Sequence, residues 1–341
     1  MVWFPLGENH ENAYRLGLHP LRNCFQPLES PARFRMMQRR ILDFLSQLGS
    51  LPVRYRASNL RRPRRTQMPD RKHAPSREKP KLGQNFLVST TAPRAIVDAL
   101  GDLSQATVLE IGPGKGVLTS LLAPRARQLV AIELDPALAA SLQLEWMQTA
   151  GSSVEVLCQD ILNFDLTQWA SQRNVRLQVV GNLPYYISSP ILTHLFAHSA
   201  VIDRAVLMTQ REVAERIVAP PGSSDYGLLS ATTQMYATTE NLFTLPPEAF
   251  SPPPKVYSTV IRLTMHSRFE ELGVESAGFL RFLRQVFAQK RKTLANNLRA
   301  SGYAPDAVDA AFQQGGVDAR VRAEAVSLEA MAGLFLALGA P

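Results

Sequence analysis

Five short apolar runs, recurring along one stretch, constrain the fold more than any other feature of the chain. ATVLEIG (106–112), LVAIELD (129–135), VEVLCQD (154–160), LQVVGNL (177–183) and RAVLMTQ (204–210) are of strand type and end in polar or glycine residues. Helical stretches such as VLTSLLAPRA and PALAASLQLEWMQ lie between them. Apolar character that is continuous rather than alternating implies burial on both faces, as in a parallel sheet covered by helices. Two later runs, QMYATTENLF and YSTVIRLT, are expected to complete this α/β sheet with a terminal hairpin. Beyond residue 265 the pattern turns helical through SAGFLRFLRQVFAQKRKTLANNLRA, APDAVDAAFQQGG and SLEAMAGLFLALG, which predicts a small all-helical second domain over 266–341.

The front of the chain has a different character. Residues 1–82 hold 17 Lys and Arg against 6 Asp and Glu, and the remainder holds 20 against 23. The formal net charge of +8 therefore belongs to the front segment, and overall charge is no argument for what the folded part binds. Residues 50–82, rich in Arg and Pro, read as a solvated, disordered linker or tail. Ahead of them Phe34, Met37, Ile41, Leu45 and Leu48 recur at helical spacing with Arg between, a basic amphipathic pattern suited to organelle targeting or to a nucleic-acid arm. The competing reading is that residues 1–67 precede a natural start at Met68 and have no role. No apolar run reaches the roughly 18 residues of a membrane span, and the opening lacks a secretory signal's charged start and apolar middle. A cytoplasmic protein is expected. The two cysteines, Cys24 and Cys158, have neither CxxC spacing nor a histidine cluster, so no disulfide framework and no metal site is expected.

In an open parallel sheet, ligands lie at the carboxyl ends of the strands. The first run ends EIGPGKGVLT, where Gly112, Gly114 and Gly116 are spaced to let the backbone approach a ligand and start a helix. It is not a phosphate loop, because Leu109 stands where the first glycine is required and Gly116 replaces the Ser or Thr. Glu133 ends the second run 21 residues after Gly112, about where an acid would accept both ribose hydroxyls. Asp160 ends the third, placed to accept from an adenine amine. Each residue alone has a bland explanation; in order they indicate an adenosine-bearing cofactor, with nicotinamide and S-adenosyl-L-methionine both open.

The fourth strand end separates the two. Asn182-Leu183-Pro184-Tyr185 matches the N-x-P-[YF] form of enzymes that methylate exocyclic amines of nucleobases. Such an amine is a poor nucleophile, its lone pair drawn into the ring, so positioning must supply most of the catalysis. The Asn182 amide oxygen and a backbone carbonyl at the Pro184 turn could hold the amine hydrogens, and Tyr185 could stack on the base. The competing reading is an ordinary Asn-Pro turn with core tyrosines.

At this point a resemblance covers residues 83–341. GQNFLVS (83–89), EIGPGKGVLT (110–119), ELD (133–135), QD (159–160), NLPYYIS (182–188), QREVAERI (210–217), DYGLLS (225–230), AFSPPPKVYSTVIRL (249–263) and FAQKRKTLANNL (287–298) resemble the rRNA adenine dimethyltransferase family, in particular its small-subunit branch. The resemblance implies a Rossmann-like class I methyltransferase sheet over 83–265 and S-adenosyl-L-methionine as cofactor. It further implies that Asn85 and Leu87 close over the methionine end, while Gly112, Glu133, Asp160 and Asn182 contact the cofactor. The reaction it implies is dimethylation of two adjacent adenosines near the 3′ end of small-subunit rRNA, by a monomer working on a pre-ribosomal 30S-type particle without metal or membrane. Tyr186 stands where many relatives carry a smaller polar residue, most often Asn. Phe250, before a Pro-rich turn, is a candidate second wall for a flipped base, or else core under that turn. Lys290, Arg291 and Lys292, with Arg284 and Arg299, are candidate phosphate contacts on one helical stretch, or else a solvated helix face. Two competitors remain: the antibiotic-resistance branch acting on large-subunit rRNA, and a binding protein that keeps the fold for assembly checking or transcription. The intact Asn182, Pro184 and Tyr185 set argues against the second.

Overall fold

The computed structural model describes residues 85–149 and 153–339. The basic extension expected over 1–82, with its amphipathic stretch and Cys24, lies outside the described residues. The strands are β1 (Phe86–Leu87), β2 (Thr107–Ile111), β3 (Gln128–Glu133), β4 (Val154–Cys158), β5 (Leu177–Asn182), β6 (Ile202–Gln210), β7 (Ala237–Leu245), β8 (Phe250–Ser251) and β9 (Ser258–Met265). The helices are α1 (Ala92–Asp98), α2 (Thr119–Leu122), α3 (Pro136–Met147), α4 (Leu166–Arg173), α5 (Ser188–Ala197), α6 (Arg211–Val218), α7 (Leu228–Tyr236), α8 (Ser276–Val286), α9 (Leu294–Ala300), α10 (Pro305–Gly315) and α11 (Leu328–Leu338). Among the described residues no helix is long and apolar enough to cross a membrane.

Seven strands form one sheet in the order β4-β3-β2-β5-β6-β9-β7, parallel from β4 to β6 and antiparallel where β9 meets β6 and β7. The five apolar runs are thus the five parallel strands. Successive residues leave a strand on opposite faces. Val108, Leu129, Val180, Val206 and Val260 pack with α1 and α2 on one side, while Leu109, Val130, Val179, Leu207 and Ile261 pack with α4, α5 and α6 on the other. Continuous apolar runs satisfy both layers at once. The helices begin where the sequence supplies caps: the Asp135 carboxylate accepts from the Ala137 and Leu138 amides ahead of α3, and that of Asp165 accepts from Gln168 in α4.

The chain runs outward from β2 to β3 and β4, then returns to place β5 on the other side of β2. This reversal of strand order splays the connecting loops and opens a crevice beyond the ends of β2 and β5. The two strands close tightly there. Ile111 lies opposite Gly181, and a Cβ on Gly181 would stand 3.0 Å from the Ile111 carbonyl oxygen.

A second core is built by Phe279, Phe282, Leu283, Val286, Leu298, Phe312, Met331 and Phe335 of the carboxyl-terminal helices, joined by Tyr226, Ala231 and Met235 from ahead of residue 265. Three sequence expectations differ from the structure. QMYATTENLF does not begin as a strand: Gln234, Met235 and Tyr236 end α7, because Met235 is buried in the helical core and the Tyr236 ring stacks on Phe196, centroids 5.0 Å apart. VLTSLLAPRA yields only the four residues of α2, since Pro124 lacks an amide donor and disfavours helical backbone before it. The long basic stretch is not one helix. It breaks between Val286 and Leu294, so Lys290, Arg291 and Lys292 stand on a turn. The Asn297 side-chain amide donates to the carbonyls of Val286 (2.7 Å) and Gln289 (3.2 Å), and the Thr293 hydroxyl oxygen accepts from the Asn296 amide to start the next helix.

Candidate active site

One crevice collects the ends of β2, β3, β4 and β5, the place where ligands lie in an open parallel sheet. Asn85, Leu87, Gly112, Gly114, Glu133, Asp160, Asn182, Leu183, Pro184 and Tyr185 all line it. Eight of them sit at strand ends or in the turns that follow; the remainder of the rim comes from the 85–87 segment, held by antiparallel pairing of Leu87 with Phe250 and Phe86 with Ser251.

The glycine loop works through backbone geometry. Gly112 and Gly114 have φ of +64° and +59°, a region side chains disfavour. A Cβ on Gly114 would also lie 3.1 Å from the Phe86 ring, whereas nothing stands within 4 Å of the corresponding point on Gly112. That open space belongs to the crevice. Glu133, only 3% exposed, is fixed by two backbone donors: the Gly114 amide reaches Oε2 and the Asp135 amide reaches Oε1, each at 2.9 Å. Each oxygen keeps acceptor capacity for a further donor, the requirement for holding a vicinal diol. Asp160 receives the Leu162 amide on Oδ1 at 3.0 Å, which orients the carboxylate and leaves Oδ2 with only a long 3.4 Å contact from Asn163. The residues therefore fit an adenosine-bearing cofactor: an acid for the ribose, an acid for the adenine amine, and a glycine-lined floor.

Asn182 and its neighbours form the opposite end. The Asn182 Nδ2 donates to the Asn85 carbonyl at 3.1 Å. Because that carbonyl can only accept, the amide is turned so that Oδ1 is the atom left free. The Leu183 amide donates to the Met208 carbonyl at 2.9 Å, and the Pro184 carbonyl is occupied by the Ile187 amide and the Ser188 hydroxyl, both at 3.1 Å. Among the described residues no donor reaches the Leu183 carbonyl. The backbone acceptor available at this turn is thus that of Leu183 and not that of Pro184. Tyr185 is fixed by a 2.6 Å hydrogen bond between its hydroxyl and that of Ser258. Burial pushes its phenol pKa up, with the Ser258 hydrogen bond opposing.

Glu110 was not singled out from the sequence. It lies in the middle of β2, 1% exposed, at the crevice wall, and its Oε2 accepts the Thr119 hydroxyl at 2.7 Å. Burial pushes its carboxyl up to about 7; the Thr119 hydrogen bond opposes this, and the nearby Glu133 charge adds to it. The signal was present as one acid inside the otherwise apolar TVLEI.

Phe250 is a correction. Its side chain is 2% exposed and packs with Leu87, Met208 and Val260 in the sheet core, because β8 pairing turns it inward. It is not among the residues lining the crevice, and a second wall for a base does not come from it. Lys290 and Lys292 lie elsewhere, in a hollow shared with Glu212, Arg216 and Tyr226. Lys290 Nζ donates to the Ser224 carbonyl at 3.1 Å; Arg291 and Lys292 are exposed. Of the flanking arginines, Arg299 is paired with Asp309.

The chain matches the family model described as ribosomal RNA adenine dimethylase over residues 76–339. It is 58% identical over 262 residues to ribosomal RNA small subunit methyltransferase A of Acidobacterium capsulatum, covering 77% of this chain and 92% of that one. It is 48% identical over 275 residues to the protein of the same name from Koribacter versatilis, covering 77% and 95%. Among solved structures it is similar to the 23S rRNA methyltransferase ErmE, with 28% identity and a TM-score of 0.58 over 74% of this chain and 99% of that one. A dimethyladenosine transferase from Plasmodium falciparum, at 24% identity and a TM-score of 0.64 over 74% and 96%, shares the fold.

Proposed function

Because the chain belongs to the ribosomal RNA adenine dimethylase family, we propose that it places two methyl groups on the N6 amine of each of two adjacent adenosines near the 3′ end of small-subunit rRNA, with S-adenosyl-L-methionine as donor. The preference for the small subunit rests on the 58% and 48% identities to small-subunit enzymes, against 28% to a 23S rRNA enzyme. The observation that carries the chemistry is the Asn182 amide, locked by Asn85 so that Oδ1 is presented beside the unoccupied acceptor of Leu183.

The bound cofactor supplies a methyl carbon on a positively charged sulfur, and no side-chain base strong enough to deprotonate an adenine amine is needed. Glu133 accepts from the ribose hydroxyls, Asp160 accepts from the cofactor's adenine amine, Gly112 and Gly114 let the backbone come close, and Asn85 and Leu87 cover the methionine end. On the substrate side Asn182 Oδ1 and the Leu183 carbonyl accept the two amine hydrogens, which localises the nitrogen lone pair and points it along the line of attack. Tyr185, held by Ser258, stacks on the extruded base, a contact worth about 1–3 kcal/mol. As the new N–C bond forms, the carbon–sulfur bond breaks with its electron pair going to sulfur to leave a neutral thioether; the amine becomes cationic and strongly acidic, so its proton passes to solvent through either acceptor. The second transfer meets an amine with one hydrogen, and one acceptor then suffices.

The same proposal divides the chain into a methyl-transferring part over 83–265 and an rRNA-contacting helical part over 266–341, whose core also takes in Tyr226, Ala231 and Met235. Lys290, Arg291 and Lys292 contact phosphates from their exposed turn, and the particle recognised is a partly assembled small subunit in the cytoplasm, met by a monomer. The test is incubation with labelled S-adenosyl-L-methionine and, in parallel, undermethylated small subunits and large-subunit rRNA, followed by mass mapping. Label in two neighbouring dimethylated adenosines is expected. Label confined to large-subunit rRNA, or none on either, would overturn the reading.

A further inference from the structure

Two large aromatic side chains stand in water beside the hydroxyl pair that holds Tyr185. Tyr186 is 62% exposed and Tyr257 46% exposed. They are the chain neighbours of Tyr185 and Ser258, the two residues joined by the 2.6 Å hydroxyl hydrogen bond. One exposed ring is therefore carried by each of the two segments joined in the clamp that holds the base-stacking tyrosine. Tyr186 lines the crevice itself. Tyr257 is backed by the Arg211 guanidinium, 5.2 Å from its ring centroid. Arg211 is in turn fixed by Glu215 one helical turn on and by its amide, which donates to the Tyr257 carbonyl at 3.0 Å. A cation over one face of a tyrosine leaves the other face for a second π-system.

We infer that Tyr186 and Tyr257 are stacking platforms for the nucleotides immediately before and after the extruded adenosine, so that the second target adenosine rests on one of them while the first reacts. This rests on the proposed rRNA reaction. The chemistry agrees at each point. A strand that sends one base into the crevice must turn its neighbours out of their own stack at the rim, and exposed aromatic faces recover that lost stacking whatever the base. Arg211 adds positive charge where the phosphates between the bases must pass. Neither tyrosine reaches the reacting atoms, so both are positioning residues for substrate.

The test compares steady-state methylation of undermethylated small subunits by wild type, Tyr186→Ala, Tyr257→Ala, the double variant and the two Tyr→Phe variants, with calorimetric binding of S-adenosylhomocysteine as the control for folding. Each alanine variant is expected to raise KM for the particle about five- to a hundredfold, to leave cofactor-product affinity at the wild-type value, and to accumulate rRNA modified at only one of the two adenosines. Phenylalanine, which keeps the stacking face, is expected to restore wild-type KM. An unchanged KM in the double variant, or a raised KM that phenylalanine does not rescue, would overturn the inference. A wild-type protein that transfers no methyl group to the particle would instead overturn the function on which it rests.

Discussion

The strand-end crevice and the basic turn at residues 287–293 both belong to the proposed reaction, yet they are built in opposite ways. In the crevice the polar side chains placed at the reaction are held by partners that do not depend on a ligand: Glu133 by two amides, Asn182 by the Asn85 carbonyl, Tyr185 by Ser258. On the turn, Lys290 makes one hydrogen bond to the Ser224 carbonyl and Arg291 and Lys292 stand in solvent. What is fixed in this molecule is the geometry of the crevice side chains; on the proposed reading, what grips the RNA is charge on long flexible side chains. Orientation must be set within fractions of an ångström to help a weak nucleophile, while attraction to phosphates works over several ångströms and tolerates motion.

The contrast breaks most sharply at Asn182. Asn182→Ala removes an acceptor that is already aimed, and losses of this kind cost about 10²–10³ in kcat. Single-turnover transfer to undermethylated small subunits should fall by that factor, with the particle still bound. Equal losses in kcat and in particle affinity would mean that Asn182 serves recognition as much as orientation.

Next in size is Glu133→Ala, which removes hydrogen bonds to charge of about 1.5–3 kcal/mol each. Calorimetry should show S-adenosylhomocysteine binding more weakly by at least the roughly ten- to hundredfold that one such bond is worth, with no change in the salt dependence of particle binding. The basic turn behaves the other way. Replacing Lys290, Arg291 and Lys292 together by Ala should weaken particle binding and lower the slope of log affinity against log salt by about 2, at roughly 0.7 per phosphate on single strands. kcat at saturating substrate should be untouched.

The smallest effect sharpens the crevice side alone. The folded-state pKa of Glu110 is raised to about 7 from an ordinary 4.5, so the folded protein holds this proton where the unfolded chain has released it. That contribution is complete below pH 4.5, declines as pH rises, and is lost above about 7. Glu110→Gln, which cannot ionise, should flatten the fall in stability between pH 4.5 and 7 as measured by denaturant unfolding. A slope unchanged from wild type would show that Glu110 is ionised in the folded state.

The same two regions differ in how far they could be read from sequence. The parallel strands were legible because burial on both faces leaves a mark in every residue of a run, as in Val179-Val180 and Val206-Leu207, and because the crevice-lining Gly112, Glu133, Asp160 and Asn182 end such runs or follow them directly. Asn182, Glu133, Asp160 and the glycines could be placed for that reason. Glu110 was missed because a charged residue inside a strand has no periodic signature. Phe250 was misplaced because its orientation comes from pairing with Leu87, 163 positions earlier in the chain. The helical end was hardest. Nothing local tells Tyr236 to end a helix against Phe196, or tells the stretch around Lys290 to break; both follow from packing and from the Asn297 amide reaching back to the carbonyls of Val286 and Gln289.

The most direct measurement is a crystal structure of the protein soaked with S-adenosylhomocysteine. Density should run along the ends of β2 to β5, with the ribose hydroxyls on Glu133, the adenine amine at Asp160 and the sulfur facing Asn182 Oδ1. Density in another hollow, or a ligand whose sulfur points away from Asn182, would contradict the claim that this crevice aims an amine at a methyl group.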